Sequence, residues 1–127
     1  MKLYESTYYQ IEMHDEYLRI QWLESTAQMS FQDFKDALTN LAGYNIEYKA
    51  TRTLVDTINF KFQLPPENIE WRDKEYHPRV VKAGTDSKIA LILPQEYMQY
   101  VKDELDILVP TRYFSDESEA VAWLVQS

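Results

Sequence analysis

Four side chains able to do chemistry fall close together in this chain: Asp56, Thr57, Asn59 and Lys61 supply a carboxylate, a hydroxyl, an amide and an ammonium group. They follow Thr53-Leu54-Val55, a branched apolar run with strand character, so they lie at or just beyond the carboxyl end of a strand. In open α/β sheets that edge is where ligands bind, which makes these residues the candidate ligand or interaction site. Asp56 is also the residue best placed to serve an enzyme as a carboxylate of perturbed pKa. A local account needs no ligand. Asp and Asn side chains in a turn hydrogen-bond nearby backbone, and Arg52 could serve Asp56 as an ion-pair partner.

Other chemistry is thinly represented. The two histidines, His14 and His77, stand beside turn signals, His14 before Asp15-Glu16 and His77 before Pro78. A zinc site wants three or four converging ligands at short spacings, and no such cluster occurs, so no metal is expected. With only two glycines there is neither a glycine-rich phosphate loop nor a nucleophile elbow. The absence of cysteine excludes thiolate chemistry and a disulfide framework. These residues predict a protein with no cofactor and no enzymatic activity.

The elements that must position the candidate site follow from apolar spacing. The run Ile89-Ala90-Leu91-Ile92-Leu93 has no water-facing side, as in a strand of a parallel sheet covered by helices on both faces. Tyr9, Ile11 and Met13 alternate with polar neighbours, as do Leu18, Ile20 and Trp22 after His14-Asp15-Glu16, which predicts an amino-terminal hairpin. Ser30 and Asp33 are spaced as a capping box, Met29 is placed to staple onto Phe34, and Phe31, Phe34, Leu38 and Leu41 form a helical stripe that Gly43 is expected to end. Pro65-Pro66 suits the first turn of a second helix, broken near His77 by Pro78 and ending at Gly84. Tyr97, Met98, Val101 and Leu105 predict a third helix, barred by Pro110. A strand from Thr111 to Phe114 and a last helix capped by Ser115 or Asp116, with Ala120, Trp123 and Leu124 on one side, complete the chain.

The expected architecture is one α/β domain over residues 1–127: a mixed, largely parallel five-stranded sheet with an amino-terminal β-hairpin and helices packed on it, in the order ββαβαβαβα. At 127 residues a single domain buries roughly two-thirds of its unfolded surface and needs no staple. The net charge of −8 would repel a phosphate backbone at long range, so nucleic acid is not an expected partner. Nothing approaches the ~20 apolar residues of a membrane span, and the start of the chain lacks a signal-peptide core, so a cytoplasmic location is expected.

In this order of elements the chain resembles the SpoIIAA-like family of the STAS superfamily, which includes bacterial anti-sigma-factor antagonists. The carriers are Leu54-Val55-Asp56, Glu70-Trp71, Lys82-Ala83-Gly84 before Ile89 to Pro94, and the ending Arg112-Tyr113-Phe114 with Ala120, Trp123 and Leu124. The resemblance implies a regulatory module that works by protein contact. In the antagonists, a serine or threonine opening the helix after the third strand is phosphorylated, which switches binding off. This chain has Gln63-Leu64-Pro65-Pro66-Glu67 at that place, with no hydroxyl, so the switch is not expected here.

The functional expectation is a non-enzymatic interaction or regulatory module whose partner is an unknown protein or a second copy of the chain. Tyr4, Tyr8, Tyr9 and Tyr17 concentrate in the hairpin region, where an aromatic face or edge could meet that partner. The alternative is a carrier or sensor of an apolar or anionic small molecule held between sheet and helices.

Overall fold

The computed structural model describes residues 1–62, 88–100, 104–106 and 110–126. Among these the chain is α/β, with strands β1 (Lys2–Glu5), β2 (Tyr9–Met13), β3 (Leu18–Trp22), β4 (Arg52–Asp56), β5 (Lys88–Ile92), β6 (Glu104–Asp106) and β7 (Pro110–Phe114). Helix α1 covers Phe31–Glu47 and α2 covers Glu117–Leu124, and single 3₁₀ stretches span Glu24–Gln28 and Gln95–Tyr100. The helices expected between Pro65 and Gly84 fall outside the described residues.

One sheet joins all seven strands in the order β1-β2-β3-β4-β5-β7-β6. Its centre is parallel: β3 pairs with β4, β4 with β5 and β5 with β7. Both margins are antiparallel, β1 and β2 on one side and β6 on the other. The five expected strands are present, but the sheet is wider by two. β1 was hidden because Lys2-Leu3-Tyr4-Glu5 is short and bounded by charges. β6 replaces the end of the expected third helix. Leu105 sits opposite Thr111 in an antiparallel pair, and Tyr97 and Met98 lie in a 3₁₀ stretch. The spacing of Tyr97, Met98, Val101 and Leu105 fits a helix, yet Glu104-Leu105-Asp106-Ile107 also alternates, and antiparallel pairing with β7, which begins four residues on, decided between the two periods.

The register assigns the faces. Leu18, Ile20 and Trp22 of β3 bury toward α1, in a cluster with Tyr9, Ile11, Met29, Phe34, Leu38 and Leu41. The intervening Arg19 pairs with Leu54, which pairs with Ala90, and these point to the opposite face. There Leu54, Ala90, Ile92, Ala120 and Leu124 form a second cluster under α2. The apolar segment from Ile89 is therefore an interior strand, with Ile89, Ala90 and Ile92 all buried. Strands β2 and β3 instead keep a clean alternation, buried residues toward α1 and half-buried polar ones on the other face.

α1 starts as its capping box requires. The Asp33 amide donates to Ser30 Oγ at 3.1 Å, the Ser30 amide donates to Asp33 Oδ2 at 3.0 Å, and Met29 and Phe34 bury in one cluster. It does not end at Gly43. The helix runs on to Glu47, and the left-handed residue is Lys49, with φ of 53°. The Ala50 amide donates to the Asn45 carbonyl at 2.9 Å and the Lys49 amide to that of Ile46 at 3.3 Å, the paired bonds of a Schellman stop. Buried Asn45 reinforces it, its Nδ2 donating to Ala50 O and Thr53 Oγ1, both at 3.1 Å. The stop is set where these backbone groups can be satisfied, so a lysine occupies the position usually held by glycine.

α2 is clasped at both ends. Asp116 caps it by accepting from the Ser118 amide at 3.3 Å. At its other end Lys88 Nζ donates to the carbonyls of Trp123 and Gln126 at 3.0 and 2.9 Å and lies 4.9 Å from the Trp123 ring centroid. A cation there also complements the negative end of the helix dipole.

Candidate functional site

β4 carries Asp56 to its carboxyl end, and the chain then turns: the Phe60 amide donates to the Thr57 carbonyl at 3.1 Å. The four expected site residues follow this turn without converging. Asp56 points to the α2 face, where Oδ2 accepts from Arg19 Nη2 at 3.0 Å and Oδ1 accepts from the Ile58 amide at 3.1 Å. Its side chain is 12% exposed, as is that of Arg19. Thr57 is sewn to the next strand, its amide and its hydroxyl both donating to the Ile92 carbonyl, at 3.0 and 2.6 Å. Asn59 is half-buried at the turn, and Lys61 is exposed while its amide donates to Thr26 Oγ1 at 2.8 Å.

Both oxygens of Asp56 thus have structural partners, one in the turn and one across the sheet. Its ion-pair partner is Arg19 and not Arg52. Arg52 lies four residues back on the same strand, ~13 Å away along an extended chain, whereas Arg19 is on the adjacent β3. Arg19 also donates to Glu117 Oε1 at 3.0 Å and, through Nη1, to Gln21 Oε1 at 3.3 Å. Burial alone would lower the Arg19 pKa, but the hydrogen bond and charge of Glu117, with Asp56 and Glu12, more than offset it and hold it above the ordinary arginine value. The cluster joins β3, β4 and the start of α2. It fixes the helix on the sheet and gives Asp56 a permanently charged hydrogen-bond partner.

Neither Arg19 nor Glu117 was singled out by spacing, because they lie 37 residues before and 61 residues after Asp56. The alternation of β3 was the available signal: it places Arg19 on the side opposite Leu18 and Ile20, where a long cation needs an acidic partner.

The histidine within the described residues, His14, is committed locally. Its ring stacks on Tyr17 with centroids 4.8 Å apart, and Nε2 lies 3.2 Å from Glu12 Oε2. Among the described residues no group of three or more His, Cys, Asp or Glu side chains could hold a metal ion, and no helix is long and apolar enough to cross a membrane. His77 and Trp71 lie outside the described residues.

A second feature is aromatic. Tyr4 stacks on Tyr9 at 5.6 Å, Tyr9 packs on Trp22 at 5.6 Å, and Trp22 meets Phe60 at 5.0 Å. The inner end of this row is core, whereas Tyr4 at its outer end is 40% exposed. Beside it on α1, Tyr44 donates its hydroxyl to the Leu3 carbonyl at 3.3 Å, and its ring lies 6.3 Å from that of Tyr48, itself 39% exposed.

No family model, curated protein or solved structure matches this chain.

Proposed function

We propose that the chain is a small non-enzymatic interaction or regulatory module of the STAS-like kind, acting through protein contacts. The observation that carries this reading is the tyrosine surface where β1 meets α1. Tyr4 and Tyr48 expose broad ring area on either side of the half-buried Tyr44. Tyrosines with a fixed body and a wet hydroxyl are the usual anchors of protein interfaces, because they bury much area at little entropic cost.

The neighbouring sheet edge directs a partner to the rings and away from strand addition. β1 is bulged between Lys2 and Tyr4, its ends carry the exposed Lys2–Glu5 ion pair, and Tyr44 occupies the Leu3 carbonyl. Bulges, charges and side-chain cover are how edges resist further pairing. The engagement of Asp56 by Arg19 and the turn supports a structural role for that carboxylate and so favours contact over chemistry.

The likeness to the STAS antagonists is supported by the order of β2, β3, α1 and β4, the interior strand β5, and β7 followed by α2. It is a likeness of fold, and the step from fold to task is analogy. The phospho-switch of the antagonists is not part of the proposal: Gln63 to Glu67 lacks a hydroxyl, and the Thr57 hydroxyl is already donated to Ile92.

Native mass spectrometry of the chain purified from its own host tests this function. The expected result is a protein complex, with a second copy or with another chain, and no small molecule at stoichiometric occupancy. A monomer carrying one small molecule per chain would overturn the reading in favour of a carrier.

A further inference from the structure

We propose that α2 is a detachable strap: it opens from the sheet as one unit while the sheet stays folded, and the surrounding ionic strength sets how often it does so. α2 lies on the face of the sheet opposite the tyrosine surface, so the inference does not depend on the function proposed above. In the closed state Ala120 and Leu124, both 0% exposed, pack over Leu54, Ala90 and Ile92. The open state bares that apolar stripe of β4 and β5.

The strap depends on the sheet both for its shape and for its charge balance. Its eight residues make a helix shorter than the ~12 needed for even marginal stability in water without tertiary contacts. Asp116, Glu117 and Glu119 crowd carboxylates at its start, and no basic residue stands in its last turn. Its cations therefore come from the sheet: Arg19 of β3 donates to Glu117 Oε1 at 3.0 Å, and Lys88 of β5 donates to the carbonyls of Trp123 and Gln126. Water reaches both clasps, since the Glu117 side chain is 47% exposed and the bond from Lys88 to Gln126 is exposed. Attractions between such partly exposed charges weaken as salt is added.

Opening leaves little unsatisfied on the sheet. When Glu117 departs, Arg19 keeps Asp56 Oδ2 at 3.0 Å and Gln21 Oε1 at 3.3 Å, so no buried charge is stranded. Arg19 Nε, buried without a hydrogen-bond partner among the described residues in the closed state, becomes open to hydration. The Lys88 ammonium returns to solvent. The motion asks only Ser115 and Asp116 to turn, because β7 stays pinned at Phe114, whose carbonyl accepts from the Leu93 amide at 2.8 Å.

Amide hydrogen exchange of the whole chain, followed by NMR at about 0.02 M and about 0.5 M sodium chloride, tests the strap. The amides of Ala120 to Val125 should share one opening equilibrium, exchanging at least about tenfold faster than those of Ile20, Leu54 and Ala90 after correction for intrinsic rates. Added salt should speed the α2 set about two- to fivefold. Glu117→Gln, equal in size and uncharged, should do the same at low salt and leave the β3, β4 and β5 amides unchanged. One common exchange equilibrium for α2 and the central strands would overturn the inference, as would an α2 set indifferent to salt. Rates that climb step by step from Ala120 to Gln126 would mark simple end fraying and overturn it too, and so would a Glu117→Gln effect of equal size on helix and sheet.

Discussion

Asp56 was conspicuous in the sequence as a carboxylate at a strand's end, and the structure explains it through partners that spacing could not supply. Asp56→Ala should remove the Ile58 cap and the Arg19 pair together and cost about 2 kcal/mol, read as a lowered urea midpoint. Under the contact reading it leaves complex formation unchanged. Tyr9 makes a second residue-scale prediction. Burial raises its pKa above the ordinary value of 10.0, against the lowering effect of the hydrogen bond from Asn40 Nδ2. The folded chain therefore holds the phenol proton more tightly than the unfolded chain does. The stability this contributes is complete below the ordinary value and is lost as pH rises through the folded-state value. Tyr9→Phe should flatten the alkaline fall in stability, measured by urea midpoints between roughly pH 8 and pH 11, at a cost of about 1 kcal/mol near neutrality for the hydroxyl's lost hydrogen bond.

At the scale of elements, the start of α1 was fully legible and its end was not. Ser30, Asp33, Met29 and Phe34 act locally, so their spacing is enough. The stop depends on Asn45 reaching Ala50 and Thr53, contacts made only once β4 is in place, and Gly43 drew the prediction away. The two positions give opposed forecasts. Gly43 is exposed inside the helix, with nothing within 4 Å of an added Cβ, so Gly43→Ala should stabilise the chain by roughly 0.5–1 kcal/mol. Were Gly43 the left-handed stop, the same change would destabilise. Lys49→Gly should also stabilise, by a similar amount, because it relieves a side chain held at positive φ. Thermal melts of the two variants check both. β6 was missed for a related reason: three residues with two acids acquire strand character only by pairing with β7.

For the whole molecule, the sequence disclosed the α/β class, the parallel centre and the two-faced burial of β5, because a continuous apolar run and alternating hairpin strands state their own burial. It did not disclose the sheet's margins, where short charged strands trade propensity for protection against unwanted pairing. Those margins matter to function. With β1 bulged and β6 short and acidic, association by extending the sheet is disfavoured on both sides, and the exposed tyrosines beside α1 are left as the surface a partner would bury. Tyr4→Ser with Tyr48→Ser removes the two exposed rings together with the Tyr4–Tyr9 and Tyr44–Tyr48 contacts, and should keep the far-ultraviolet spectrum of the parent while lowering stability by about 1–2 kcal/mol.

Native mass spectrometry of that double variant beside Asp56→Ala, both expressed in the chain's own host, tests the central claim most directly. The account predicts that the protein complex is lost from the tyrosine variant and retained by the Asp56 variant. A complex that survives loss of the tyrosines and disappears with Asp56 would contradict it.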